Sequence, residues 1–225
     1  MLPISDITKF SFQDFPNRTS CIVWFCGCNF RCPYCHNPDF IEVKPEQKFL
    51  TEMEIFNFLQ QRVGLLEGVV LSGGEVSLYN IYDFVCKIKE MGFLVKIDTN
   101  GTNPTLIKQL VNEKKIDFVA LDYKAPKAKF FSITNNNDYE KFDDTLSFLI
   151  KSGIEMEIRT TIHTKLLDEN DINLIIDDLI NKGYNSNYAI QNFRNNKTLA
   201  NIGEQERVLD KSLIRTALKI EWRNF

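Results

Sequence analysis

Short apolar runs alternate along this chain with segments whose apolar residues recur at helical spacing. The run at 20–25, Ser20-Cys21-Ile22-Val23-Trp24-Phe25, is almost wholly apolar, as a strand covered on both faces must be. Similar β-rich runs at 68–71, 93–97, 116–121, 155–161 and 188–191 predict five more strands. Helices are predicted between them at 51–63, 79–91, 104–113, 143–152 and 171–182, with a terminal helix at 209–220. Helix signals mark several ends. Thr51-Glu52-Met53-Glu54 has the form of a capping box, Pro104 suits a first helical turn, and Gly153 and Gly183 stand where helices stop.

Six strands alternating with helices predict parallel βα units. They fill one domain over 1–225, with a core at about 18–192 and an extension at about 196–225. That order suits a barrel or an open wound sheet. In either, ligands bind at the C-terminal strand ends. The unusual residues fall there. A cysteine-rich loop follows the first strand, Gly73-Gly74-Glu75 the second, Asp98-Thr99-Asn100-Gly101 the third and Asp122-Tyr123-Lys124 the fourth. Four polar loops meeting at one rim carry more weight than any one of them.

Composition is that of an ordinary soluble globular chain, with 44% hydrophobic and 25% charged residues in 225. A net charge of −3 argues against a basic nucleic-acid surface. No apolar run approaches the roughly 20 residues of a membrane span, and the N-terminus lacks the basic-then-apolar order of a secretory leader. The expectation is a cytoplasmic protein with neither nucleic acid nor membrane as partner.

The six cysteines change the picture, because Cys21, Cys26, Cys28, Cys32 and Cys35 crowd together and leave Cys86 apart. A disulfide framework would spread them along a short secreted chain. Clustered thiols in a reducing compartment point instead to a metal or an iron–sulfur cluster. The two histidines, His36 and His163, are too few for a histidine-rich site. Cys28, Cys32 and Cys35 are separated by three and then two residues. Three thiolates on one loop can hold three irons of a four-iron cluster and leave the fourth open to a chelating substrate. The plainer alternative is a closed zinc site with His36 or Cys26 as fourth ligand. Cys21, Cys26 and Cys86 read as small packing residues, and His163 as structural.

Gly27-Cys28-Asn29-Phe30-Arg31-Cys32-Pro33-Tyr34-Cys35-His36-Asn37-Pro38 resembles the cysteine loop of the radical S-adenosylmethionine (radical SAM) superfamily, with aromatic Tyr34 before the last cysteine. It looks most like the glycyl-radical-enzyme activating proteins, above all those of the anaerobic ribonucleoside-triphosphate reductase. Asp14-Phe15-Pro16, Asp98-Thr99-Asn100-Gly101, Asp122-Tyr123-Lys124-Ala125-Pro126 and Arg159-Thr160-Thr161 support this likeness over about 10–195. The stretch from Asn196 carries none of it.

The resemblance implies an α/β fold, a partial (β/α)6 barrel of parallel strands with helices outside. It implies a [4Fe–4S] cluster on Cys28, Cys32 and Cys35, the metal-binding and catalytic residues. SAM would chelate the fourth iron, and its reductive cleavage would give methionine and a 5′-deoxyadenosyl radical. By position, Gly73 and Gly74 would let backbone approach the methionine part, and Glu75 would offer charge to its ammonium. Lys124 is expected at its carboxylate and Arg159 at the carboxylate or ribose. Tyr34 and His36 would pack beside cluster and adenine. Asp98, Thr99 and Asp122 are expected oxygen ligands of a monovalent cation near SAM. Val76 departs from the proline common after Gly-Gly-Glu, which loosens that turn and leaves Glu75 in place.

The implied activity is hydrogen abstraction from a glycine Cα of a partner, the catalytic subunit of the anaerobic ribonucleotide reductase. Flavodoxin or ferredoxin would supply the electron. No cysteine-rich insert separates Cys35 from Gly73, which favours reductase-type or pyruvate formate-lyase-type activators. Two other readings stand beside it. One is a small-molecule radical SAM enzyme such as a 7-carboxy-7-deazaguanine synthase, whose cysteine loop usually continues Asp-Thr rather than His36-Asn37. The other is a non-enzymatic zinc module.

Overall fold

The computed structural model describes residues 1–195 and 197–225. Eight strands form one sheet in chain order: β1 (Ile4–Ser11), β2 (Ser20–Phe25), β3 (Gly68–Gly73), β4 (Leu94–Thr99), β5 (Phe118–Asp122), β6 (Glu155–Ile162), β7 (Tyr188–Asn192) and β8 (Ile220–Arg223). β1 pairs antiparallel with β2, and every later pairing is parallel. The sheet ends at β1 and β8, so it is open. Because the order never reverses, each crossover winds the same way and the helices cover one face.

The expected strands and crossovers are all present. Helices α1 (Glu52–Gln60), α2 (Tyr82–Glu90), α3 (Pro104–Asn112), α4 (Lys127–Thr134), α5 (Tyr139–Ser152) and α6 (Glu169–Asn181) bury their apolar sides in one core. Thr51 Oγ1 accepts from the Glu54 amide at 3.2 Å and Glu54 accepts from the Thr51 amide at 2.7 Å, closing the box that starts α1. Gly153 ends α5 in the left-handed conformation. Strand alternation divides the side chains. Cys21, Val23 and Phe25 join the core under the helices, while Ile22 and Trp24 turn to the opposite face with Phe15, Val70 and Phe118.

The chain ends differ from expectation. No helix spans 209–220. A single 3-10 turn at Lys211–Leu213 leads into β8, which pairs with β7. Leu209, Ile214 and Leu218 are each buried, yet their spacing makes no continuous helical stripe. Asn173 on α6 satisfies the backbone instead, donating to the Leu213 carbonyl and accepting from the Arg215 amide, both at 2.9 Å. β1 was not expected, since this edge strand exposes much of its length and shows weak apolar alternation. The sheet therefore reaches past 18–192 on both sides. Asn196, the expected first residue of the extension, lies outside the described residues. Among the described residues no helix is long and apolar enough to cross a membrane.

Candidate functional site at the C-terminal strand rim

Parallel pairing from β2 onward brings the loops after successive strands to one rim. There they enclose a cavity of about 270 Å³. Cys28, Cys32, Cys35, Tyr34 and His36 reach it from the loop after β2, and Gly73, Gly74 and Glu75 from the end of β3. Asp98 and Thr99 reach it from β4, Asp122 and Lys124 from β5, and Arg159 from β6. Every sequence-predicted site residue thus lines a single cavity.

The cysteine loop is held mainly by backbone. Gly27 and Cys28 donate to the Phe40 and Ile41 carbonyls at 2.8 and 3.0 Å, and Arg31 donates to Thr134 at 2.8 Å. The Arg31 guanidinium folds back onto the Cys28 and Phe30 carbonyls at 2.7 and 2.9 Å. Cys28 Sγ accepts from the Phe30 amide at 3.4 Å. Burial pushes the Cys28 thiol up to about 12 and the Cys32 thiol up to about 11. Both are therefore thiols until a metal displaces their protons.

The donor set fits a cluster better than a zinc ion. Among the described residues no three His, Cys, Asp or Glu side chains converge as one ion requires. In a cluster each thiolate takes its own iron, so its ligands ring the group instead of meeting at a point. The two possible fourth zinc ligands are engaged elsewhere. Cys26 is buried and accepts from Gln47 Nε2 at 3.0 Å. His36 bonds the Arg194 carbonyl at 3.1 Å and faces the Phe193 ring at 5.4 Å, so it packs on the C-terminal segment.

The protein's own backbone requires glycine at 73 and 74. A Cβ on Gly73 would sit 2.4 Å from the Phe25 carbonyl oxygen, and one on Gly74 would sit 2.1 Å from that of Gly27. The close approach is to the protein's own backbone at the root of the cysteine loop. Glu75 is turned inward as well. It is 1% exposed, and its carboxylate accepts from the Ser77 amide (3.0 Å), Ser77 Oγ (2.6 Å), Thr99 Oγ1 (2.7 Å) and the Asn100 amide (2.6 Å). Burial raises its pKa in spite of these donors. Val76 is buried and opens a 3-10 turn capped by Glu75.

The remaining charges form a ladder. Lys96 Nζ lies 2.5 Å from Asp98, Arg159 reaches Asp98 at 3.4 Å and Asp122 at 2.9 Å, and Lys124 meets Asp122 at 2.9 Å. Burial would raise the Asp122 carboxyl, but Arg159 and Lys124 outweigh it and hold the group down at about 2. Asp98 is lowered too, with Arg159 and Lys96 overcoming its burial. These carboxylates already have cationic partners, and Thr99 Oγ1 is spent on Glu75. The oxygen set expected for a monovalent cation does not fit one. Arg159 is braced by Asp98, Asp122 and Glu157, so its guanidinium is fixed rather than free to follow a ligand.

Several contributors went unread in the sequence. Ser72 donates to Asp98 at 3.0 Å, and Asn29 ties the cysteine loop to Asn100 and Thr102 at 2.8 and 2.9 Å. Lys96 had a visible signal, as the one charge inside the apolar run 93–97. Asn29 had none, because a polar residue in a polar loop is unremarkable by pattern.

Fold and site together define a cluster-dependent α/β enzyme class, with one-way βα crossovers and a three-cysteine loop after the first parallel strand. The chain belongs to the radical SAM superfamily, whose family model matches residues 22–179. Enzymes of that superfamily use a [4Fe–4S] cluster and SAM. A Methanocaldococcus jannaschii protein named as a glycyl-radical enzyme activating enzyme is 36% identical over 176 residues, covering 75% of this chain and 72% of that one. The pyruvate formate-lyase-activating enzyme of Clostridium pasteurianum is 31% identical over 175 residues, covering 75% and 71%. Among solved structures, Streptococcus suis SuiB bound to S-adenosylmethionine superposes with a TM-score of 0.64 at 14% identity. That match covers 82% of this chain and 44% of SuiB, and it speaks to the fold alone.

Proposed function

We propose that Cys28, Cys32 and Cys35 hold the [4Fe–4S] cluster, that SAM occupies the adjoining cavity, and that the protein generates a glycyl radical on a partner enzyme. One observation carries the reading: the three cysteines share a cavity with the Gly73-Gly74-Glu75 turn and the Asp98–Arg159–Asp122–Lys124 ladder. Two relatives named for activating glycyl-radical enzymes support the partner class. Likeness of the cysteine loop to reductase activators supports the anaerobic ribonucleoside-triphosphate reductase as that partner, and flavodoxin or ferredoxin as electron donor in the cytoplasm.

When bound, the cluster and SAM supply one-electron cleavage of a sulfonium and a carbon radical able to take hydrogen from a glycine. The chain's own residues bind, orient and exclude water. Lys124 offers N–H donors to a carboxylate from a partly buried position where its charge is secured by Asp122. Asp98 and Asp122 present acceptors to hydroxyl or ammonium groups. Phe30, Tyr34 and Ile41 line the same cavity with apolar surface, which keeps water from a reactive intermediate.

The deciding experiment mixes reduced protein, SAM and the reductase catalytic subunit anaerobically and looks for a glycyl-radical doublet by electron paramagnetic resonance. A doublet is expected. Cleavage of SAM without a doublet would move the reading to a small-molecule radical SAM enzyme.

A further inference from the structure

Lys96 is the one lysine of the described residues held at 1% exposure, and the proposed roles above give it nothing to do. It stands on β4 two residues before Asp98, so strand alternation points both inward on the face away from the helices. Its ammonium sits 2.5 Å from Asp98 Oδ1 and 5.9 Å from the centre of the Phe118 ring. Asp98 Oδ2 is shared by Ser72 and Arg159. The chain of contacts runs on through Asp122 and Lys124, and through Glu157 to Arg223 and Glu221. Four carboxylates here face four cations, so the ladder is neutral as it stands. Removing Lys96 would leave the partly buried Asp98 balanced only by Arg159 at 3.4 Å and the ladder with one negative charge in excess at the cavity wall, a costly state that an added ion would relieve.

We propose that Lys96 is a built-in cation that balances Asp98 from below, while Arg159 and Lys124 balance Asp122, so that this site binds its ligand without a monovalent metal ion. The inference rests on the reading that the cavity takes SAM. It departs from the expectation that Asp98, Thr99 and Asp122 hold such an ion. Lys96 is a positioning residue, since it touches Asp98 and not the space above it. Its ammonium fixes the Asp98 carboxylate, and Asp98 in turn fixes Arg159.

The test compares wild type with Lys96→Met in potassium chloride and in tetramethylammonium chloride at equal ionic strength. Tetramethylammonium screens as well as potassium but is too bulky to sit between two carboxylates. Two quantities are read: melting temperature without SAM, and SAM affinity by titration. For wild type, both should be the same in either salt. For Lys96→Met, potassium should raise the melting temperature by about 3 °C over tetramethylammonium, as a weakly bound stabilising ion does. It should also restore SAM affinity by roughly tenfold, a typical coupling between neighbouring sites. Lys96→Arg keeps the charge and, whatever its larger side chain costs in packing, should show the same melting temperature and SAM affinity in either salt.

Wild type that loses stability or tenfold SAM affinity without potassium would overturn the inference. So would a folded Lys96→Met variant indifferent to the salt. If Lys96→Met does not fold, the wild-type and Lys96→Arg arms still decide. If wild type binds no SAM in either salt, the proposed function is what fails, and the melting arm still judges Lys96.

Discussion

Asn100 Nδ2 donates a 2.8 Å hydrogen bond to Asn29 Oδ1, and this contact fastens the loop after β4 to the cysteine loop. Asn29 donates in turn to Thr102 Oγ1, while the Asn100 amide donates to Glu75. Three rim loops are therefore joined by one buried polar network in which Glu75 is the central acceptor. Such networks specify geometry when every member is satisfied and cost heavily when one is removed. Asn100→Ala should lose about 1–3 kcal/mol of stability, because it strips Asn29 and Thr102 of a partner. It should also retain less iron after anaerobic desalting. Iron content and urea midpoint both equal to wild type would show that the network does not hold the loop.

The glycine pair separates two kinds of glycine. Gly74→Ala would drive a Cβ to within 2.1 Å of a backbone oxygen that cannot move without displacing Cys28. Gly92 differs, with a positive φ of 92° and nothing within 4 Å of an added Cβ. Gly92→Ala should cost about 1 kcal/mol, the ordinary cost of a left-handed alanine. Gly74→Ala should cost several times that or fail to fold, as read by thermal unfolding. Equal losses would contradict the packing account of Gly74.

Parallel strands were legible because burial on both faces forces apolar runs, and 20–25 became β2 residue for residue. Helices with local caps were legible for the same reason, since Thr51 and Glu54 sit three apart in sequence. The 209–220 segment misled because Leu209, Ile214 and Leu218 enter the core at irregular spacing while Asn173 of α6 and pairing with β7 hold its backbone, which no local pattern encodes. The site was readable as residue types at strand ends. Its wiring was not. That Glu75 faces inward, and that Lys96 neutralises Asp98, depends on contacts 24 and 2 residues apart whose geometry only the fold supplies.

Cysteine substitutions should sort by position. Cys32→Ala removes a rim thiol and should abolish the broad visible absorbance of an anaerobically reconstituted protein. Cys26→Ala removes a buried side chain whose sulfur only accepts from Gln47. It should keep iron and absorbance while losing roughly 1 kcal/mol of stability. Loss of the cluster in Cys26→Ala would mean that a fourth protein thiolate takes part.

Asp122 predicts a specific acid sensitivity. Its carboxyl is held down at about 2, against an ordinary value of 3.8. The folded state therefore prefers the ionised form. The stabilisation is complete above the ordinary value and drains away as pH falls from there towards 2. Asp122→Asn should flatten that part of the stability profile in acid urea titrations. A variant profile parallel to wild type between pH 4 and 2 would remove Asp122 from the acid response.

His163 links the rim to the C-terminal segment, and its tautomer is set by its neighbours. Nδ1 accepts from the Lys165 amide at 3.2 Å, so Nε2 carries the proton it donates to the Gly203 carbonyl at 3.3 Å. The ring is wholly buried and packs edge-on against Phe193 at 4.7 Å, while Phe193 faces His36 beside the cysteine loop. His163→Phe keeps an aromatic ring, slightly larger, and deletes both hydrogen bonds. The Gly203 carbonyl then has to find water, and the segment beyond Lys197 loses an anchor that Ala200, bonded to the Pro33 carbonyl at 3.1 Å, only partly replaces. A loss of about 1–3 kcal/mol is expected. Limited proteolysis should cut earlier near Gly203, because cleavage follows the population of locally opened states. If the cutting pattern is unchanged while global stability falls, His163 supports β6 alone and does not tether the segment to the rim.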